Sequence, residues 1–162
     1  MMDIMALKKG DKAPDFNLED QDGKKVSLGS FKGKYLVLYF YPKDDTPGCT
    51  MEGIDFTKNI EKFNKLGAEV LGLSADSLES HCSFIDKHKL KVTLLSDPDK
   101  ELIKKYNAWK KKSMYGREYY GIERSTFIID QHGKIANAWY GVKVQGHVEE
   151  VLKTLRGLKS SS

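Results

Sequence analysis

Two hydrophobic periods, one typical of strands and one typical of helices, alternate along this chain. Residues 35–41, YLVLYFY, form an unbroken apolar and aromatic run, which predicts a strand covered on both faces. Residues 69–74 predict a second central strand. Between them, Phe56, Ile60 and Phe63 follow the i, i+4, i+7 spacing of a helix that ends near Gly67.

The remaining elements follow from the same two periods and from turn and cap signals. Asp22-Gly23 lies between two short segments, 16–18 and 25–28, and predicts a β-hairpin. Asp76 and Glu79 have capping-box spacing and predict a helix over 77–89. The inward face of that helix is expected to hold Leu78, Cys82 and Ile85. Further predictions are strands at 92–95, 125–129 and 134–140, and helices at 98–106 and 148–158. No helix or strand is predicted in the lysine-rich passage that contains Tyr115, Tyr119 and Tyr120.

This order of elements predicts an α/β fold with a central mixed β-sheet flanked by helices and an N-terminal β-hairpin extension. No repeat or linker divides the 162 residues, so a single domain over 1–162 is expected. Residues 159–162 end in three serines and are expected to form a disordered tail.

Composition narrows the function classes. The excess of 27 Lys+Arg over 23 Asp+Glu is spread along the chain, and the one run, Lys110 to Lys112, lacks interleaved aromatics or arginines, so no nucleic-acid binding is expected. No apolar run reaches the length of a signal peptide or membrane span, so no membrane partner is expected. Two cysteines are too few for a secreted disulfide scaffold, which indicates a reducing cytoplasm.

The segment YFYPKDDTPGCT, residues 39–50, carries the chemistry. Cys49 follows a strand at a turn that Pro47 and Gly48 make stiff and tight. Unpaired N–H groups and the positive end of the helix dipole favour thiolate over thiol there. Thr46 adds a hydroxyl that can donate to or accept from an oxygen species. A buried inert thiol is the alternative, but this polar, proline-rich turn is poorly suited to a core.

The motif Pro42-x-x-x-Thr46-x-x-Cys49 resembles the peroxidatic-cysteine motif of peroxiredoxins. The wider FYPKDDTPGCTMEGIDF is similar to the peroxiredoxin Q, or bacterioferritin comigratory protein, subfamily. The segments GDKAPDF, LLSD, MYG and GIERSTF also match in the same order, so the resemblance spans residues 7–158. It implies a thioredoxin-like fold and a thiol-dependent peroxidase that needs no cofactor and no metal.

The resemblance also assigns roles to residues. Cys49 attacks hydrogen peroxide or an organic hydroperoxide and becomes a sulfenic acid. Arg124 supplies a fixed cation, for which its rigid fork of donors is suited. Thr46 and the backbone N–H groups of Gly48 and Cys49 supply further hydrogen bonds to the reacting oxygens. Pro42 is assigned to the catalytic motif with Cys49, Thr46 and Arg124. Tyr41 beside the pocket, Gly48 and Glu52 on the first helical turn support the site, and a direct catalytic part for Glu52 is left open.

Many subfamily members carry a resolving cysteine five residues after the first, where this chain has Ile54. Cys82 is then the candidate resolver, forming an intramolecular disulfide with Cys49 that thioredoxin or a similar dithiol reduces. Bridging requires Cα atoms within about 7 Å, so local unfolding is expected. The alternatives left open are a core role for Cys82 with an external thiol as resolver, and an intermolecular disulfide.

Other function classes fit less well. A dithiol oxidoreductase needs Cys-x-x-Cys, whereas residues 49–52 read CTME. Gly48 and Gly53 have the spacing of a phosphate-binding loop, but Gly53 is followed by Ile54 and Asp55 instead of the required Lys and Ser or Thr. The four histidines lack metal-site spacing. A peroxide sensor would use the same sulfenic acid and would differ by lacking turnover. A monomer is expected, and a weak dimer is left open.

Overall fold

The computed structural model describes residues 6–160, which form one large sheet, a separate two-stranded ribbon and four α-helices. The strands are β1 (Asn17–Asp20), β2 (Lys25–Ser27), β3 (Tyr35–Phe40), β4 (Ala68–Ser74), β5 (Thr93–Ser96), β6 (Trp109–Met114), β7 (Arg117–Ile122), β8 (Ser125–Ile129) and β9 (Ile135–Trp139). The helices are α1 (Pro47–Lys65), α2 (Leu78–His88), α3 (Glu101–Lys105) and α4 (His147–Ser160), with a 3-10 turn at Leu28–Phe31.

The seven-stranded sheet has the order β2-β1-β5-β4-β3-β8-β9. Strands β3, β4 and β5 are parallel to their neighbours in this group, whereas β8 runs antiparallel to β3. All six residues of β3 are buried, because successive side chains point to opposite faces and both faces are covered. The predicted mixed sheet flanked by helices is confirmed, and α1 begins directly beyond the carboxyl end of β3.

Each face of the sheet has its own hydrophobic core. Tyr35, Val37 and Tyr39 of β3 pack with α1, α2 and α4 on one face. Leu36, Leu38 and Phe40 point to the opposite face, where α3 packs. Cys49 belongs to the first of these cores. None of the helices within residues 6–160 has the length and apolar character needed to cross a bilayer.

The hairpin predicted around Asp22-Gly23 is confirmed as β1 and β2. β1 also pairs antiparallel with β5, so the hairpin continues the edge of the main sheet. The ribbon of β6 and β7 was not predicted. Most of its positions are exposed or only partly buried, and it therefore lacks the alternation of a strand that covers a core.

The predicted inward face of α2 is right for Ile85, which is partly buried and packs against the first core, but it misses the residues that are fully buried. The buried residues of this helix are His81 and Phe84, while Cys82 is only half-buried. The helix is capped by Ser77, whose hydroxyl accepts from the Ser80 N–H, rather than by Asp76.

The carboxyl end also differs from the predicted tail. α4 continues through Lys159 and Ser160, so the first two residues assigned to the tail are helical. Residues 161 and 162 lie outside the described part of the chain.

Candidate active site

Cys49 is the third residue of α1, and its side chain is only 2% exposed. Thr46 is the N-cap with extended backbone, and Pro47 occupies the first helical position, where its missing N–H costs nothing. The N–H groups of Gly48 and Cys49 lie in the first turn, which offers them no intrahelical acceptor. The helix begins at Pro47, so Cys49 lies inside its first turn rather than at its first residue. The free N–H groups surround the thiol with positive partial charge.

Arg124 is held next to this helix start by the sheet. It directly precedes β8, whose Ser125 pairs with Phe40 at the end of β3. Its Nη2 donates to the Cys49 Sγ at 3.4 Å, and its Nη1 donates to Oε1 of Glu52 at 2.6 Å. One planar guanidinium thus fixes the positions of the sulfur and the carboxylate together.

Gly48 allows this close approach. A Cβ at position 48 would lie 3.0 Å from Nη2 of Arg124, closer than ordinary van der Waals contact. The glycine predicted to make a tight turn therefore also leaves room for the arginine.

Glu52 is fully buried, and its Oε2 has no hydrogen-bond partner among the described residues. Burial raises the pKa of Glu52 from 4.5 to about 7, although the Arg124 charge opposes this rise. The carboxyl group of Glu52 therefore changes charge near neutral pH beside the cation that holds Cys49.

We expect Glu52 to make folding stability depend on pH. Its folded pKa lies above its unfolded value of 4.5, so the charged form costs stability above about pH 7, and this cost disappears as the pH falls toward 4.5. Between about pH 5 and about pH 8, the free energy of unfolding should fall by up to about 3 kcal/mol more in the wild type than in Glu52→Gln. Urea unfolding of both proteins across this range measures the difference. Parallel pH profiles would contradict the expectation.

Thr46 and Pro42 lie on the loop that enters α1. The Thr46 hydroxyl donates to the Lys43 carbonyl at 2.8 Å, which leaves its oxygen lone pairs able to accept from a bound peroxide. Pro42 is half-buried and is the second residue after the end of β3. Thr46, Gly48, Glu52 and Arg124 therefore all lie on or against the first turns of α1.

Tyr41 lies in the same core as Cys49, and its hydroxyl donates to Oδ1 of Asp44 at 2.6 Å. Tyr39, which the sequence analysis did not single out, stacks on Phe56. Burial, followed by the charges of Glu52 and Cys49, raises the pKa of Tyr39 well above 10.0. The signal for it was the strand period, which places residues 39 and 41 on one face.

A second cation near the site was also missed. Lys112 of β6 donates its Nζ to the Ile122 carbonyl at 2.6 Å. Burial lowers the pKa of Lys112, and the neighbouring Arg124 charge lowers it further. The run Lys110 to Lys112 gave no signal for this, because the ribbon that positions Lys112 was not predicted.

Three side chains bring possible metal ligands close together: ligand atoms of Asp44, Asp76 and His81 lie within 4.8 Å of one another. Each of the three is already hydrogen-bonded within the protein. His81 was not expected to bind a metal, because no histidine or carboxylate follows it at i+4 in the sequence.

Cys82 contacts a different part of the chain from Cys49. Both thiols are free, and the Cys82 Sγ donates to the Gln21 carbonyl at 3.0 Å, in the turn between β1 and β2. A disulfide between the two cysteines therefore requires both sulfurs to leave their present partners.

Residues 9–138 match the model of the AhpC/TSA family. The chain belongs to this family of peroxiredoxins. Peroxiredoxin Bcp of Bacillus subtilis (strain 168) is 48% identical over 154 residues, which cover 95% of this chain and 98% of the relative.

Solved structures of peroxiredoxins agree with the fold. A cysteine variant of PrxQ from Xylella fastidiosa has a TM-score of 0.90 at 40% identity, covering 94% of this chain and 98% of that one. The bacterioferritin comigratory protein of Xanthomonas campestris, studied for its alkyl peroxide reduction activity, has a TM-score of 0.87 at 39% identity, covering 97% and 99%. The thioredoxin-like fold and the peroxiredoxin Q resemblance are confirmed, and membership supports thiol-dependent peroxide reduction.

Proposed function

We propose that this peroxiredoxin reduces hydrogen peroxide and organic hydroperoxides with Cys49, that Cys82 resolves the product, and that thioredoxin or a similar dithiol in the cytoplasm recycles it. The observation that carries the proposal is the guanidinium of Arg124, which contacts both the Cys49 sulfur and the Glu52 carboxylate at the start of α1. All three residues lie in one chain, and we propose that the protein acts as a monomer.

The first step is a displacement at oxygen. The Cys49 thiolate attacks one peroxide oxygen, the O–O bond breaks, and the leaving oxygen takes a proton to become water or an alcohol. Negative charge moves from sulfur to the leaving oxygen, so donors must line that path. Arg124 and the N–H groups of Gly48 and Cys49 are suited to this role, and the Thr46 oxygen can accept the peroxide hydrogen.

The substrate and reductant are tested together by peroxide consumption. Hydrogen peroxide and cumene hydroperoxide should both be consumed catalytically when thioredoxin and its reductase are present, and the alkyl substrate is suggested by the Xanthomonas campestris relative. Consumption with dithiothreitol but not with thioredoxin would leave the peroxidase intact and exclude that reductant. No consumption with any thiol would contradict the proposal.

The second step joins the two cysteines. The Cys82 thiol attacks the sulfur of the Cys49 sulfenic acid, a disulfide forms, and the hydroxyl leaves as water. Cys82 is half-buried, and its Sγ donates a hydrogen bond to the Gln21 carbonyl. Moving Cys82 out of this position therefore breaks fewer contacts than moving a fully buried residue would. The start of α1 and α2 must both move for the sulfurs to meet.

We expect Cys82→Ser to separate the two steps. Reduced Cys82→Ser should react with one equivalent of peroxide at the wild-type rate, because the Cys49 site is unchanged, but it should lose turnover supported by thioredoxin. Stopped-flow oxidation and steady-state turnover measure the two quantities. Full turnover of Cys82→Ser with thioredoxin would instead favour a one-cysteine peroxidase that uses an external thiol.

A further inference from the structure

The loop that leads into the active site, residues 42–46, is attached to α2 by two neighbouring aspartates. Asp45 has left-handed backbone, with φ of 59°, and its carboxylate contacts Nζ of Lys87 at 2.7 Å and Nε2 of His88 at 2.8 Å. These contacts are exposed, so they are of the kind that contributes little stability.

Asp44 makes the buried attachment. Its carboxylate accepts from the Tyr41 hydroxyl at 2.6 Å and from the Ser80 hydroxyl at 2.7 Å. Its Oδ2 also lies 2.7 Å from Nδ1 of His81, and the two side chains are 3% and 0% exposed. Its backbone N–H donates to Asp76 at 2.8 Å.

His81 completes the network on the other side. Its Nε2 lies 2.9 Å from the carbonyl oxygen of Leu95 in β5. The ring thus joins the Asp44 carboxylate to the central sheet, and because a carbonyl oxygen can only accept, Nε2 donates to Leu95. A buried polar network in which each of these groups has a partner is rigid, and removal of one member leaves a buried polar atom of its neighbour with one hydrogen bond fewer.

This network connects the two cysteine sites. Asp44 lies two residues before Thr46 and five before Cys49, whereas His81 directly precedes Cys82. Movement of Cys82 toward Cys49 displaces α2 and so strains the Asp44–His81 contact. The loop that presents Thr46 then loses its buried anchor.

We propose that Asp44 and His81 are positioning residues for the peroxidase reaction. They hold the loop of residues 42–46 in its peroxide-reactive form only while the helix that carries Cys82 is docked. The inference rests on the proposed function. While the buried contact between Asp44 and His81 is intact, Cys49 reacts with peroxide; once that contact is broken, Cys82 is released. We name this contact the loop latch.

The test compares two adjacent and chemically identical changes, Asp44→Asn and Asp45→Asn. Asp44→Asn should lower the second-order rate constant for Cys49 oxidation by hydrogen peroxide about tenfold, since it weakens a buried charged network. It should also raise the rate at which Cys82 is labelled by a thiol reagent, measured in a Cys49→Ser background. Asp45→Asn should stay near wild type in both, because only exposed contacts are lost.

Two further variants exclude a general loss of stability. Ile103→Val removes a methylene group from the core on the opposite sheet face and should lower stability without raising Cys82 labelling. His81→Gln should change both rates as Asp44→Asn does, and the double variant should show less than additive effects. If Asp44→Asn does not fold, Ser80→Ala, which removes one bond to Asp44, should change the same rates in the same direction by a smaller factor.

The proposal is overturned if Asp44→Asn and Asp45→Asn have the same rates of Cys49 oxidation and Cys82 labelling. It is also overturned if Ile103→Val raises the rate of Cys82 labelling as much as Asp44→Asn does. The proposed function fails in a different way, namely if wild-type Cys49 is not oxidised by peroxide. Cys82 labelling does not depend on peroxide, so the two failures are distinguishable.

Discussion

Replacing Cys49 with serine is expected to reduce peroxide consumption to the background rate of the reductant alone. A serine hydroxyl is not ionised near neutral pH and cannot form a sulfenic acid, so the covalent step is lost. The buried position of Cys49, 2% exposed at the start of α1, accepts serine with almost no change in volume. Consumption of hydrogen peroxide under excess dithiothreitol measures the effect.

Cys82→Ser is the matched control, because it makes the same chemical change at the other cysteine. It should retain consumption with a small external thiol, whereas Cys49→Ser should not. Appreciable turnover by Cys49→Ser, with a folded circular dichroism spectrum, would show that another group reduces peroxide.

Replacing Arg124 with methionine should lower the second-order rate constant for peroxide by about 10²- to 10³-fold. The arginine is a fixed donor to the reacting sulfur at 3.4 Å, and removal of one preorganised donor typically costs that much. Arg124→Lys keeps the charge but not the fork, so it cannot reproduce both contacts to Cys49 and Glu52 and should remain well below wild type. Stopped-flow oxidation of reduced protein gives the rate constants.

Stability must be separated from chemistry in this test, since Arg124→Met leaves the buried Glu52 without its cation. Without Arg124 the pKa of Glu52 rises further above its ordinary value, so the buried carboxyl group takes up a proton and loses its hydrogen-bond donor, which typically costs about 1–3 kcal/mol. The double variant Arg124→Met with Glu52→Gln removes the ionisable carboxyl group and should not recover the rate. Recovery of the rate in the double variant would show that Arg124 acts through folding alone.

The sequence predicted the parts of the fold that follow from local patterns. The run at 35–41 is β3 because a strand buried on both faces must be apolar throughout, and its alternate residues form the two cores. The start of α1 followed from Pro47 and Gly48, whose backbone preferences act within a few residues. The motif around Cys49 required no knowledge of tertiary contacts.

The parts that were missed depend on contacts distant in sequence. His81 is buried between Asp44, 37 positions away, and Leu95, which both form hydrogen bonds with its ring, and no local hydrophobic period contains that information. Strands β6 and β7 pair with each other and cover little of the core, so lysines and tyrosines can occupy them. Arg124 was assigned by resemblance, whereas its contact with Glu52 depends on the pairing of β8 with β3.

One experiment shows what becomes of Cys49: the protein is treated with one equivalent of hydrogen peroxide, and the peptide that contains Cys49 is weighed under non-reducing conditions. Its mass distinguishes a disulfide with Cys82, an oxidised Cys49 without a disulfide, and an unreacted thiol. The wild type is expected to lose two hydrogens, with Cys49 linked to Cys82 in the same chain, and Cys82→Ser is expected to gain oxygen on Cys49. If Cys49 remains a free thiol in both proteins while peroxide is consumed, Cys49 is not the residue that reduces it.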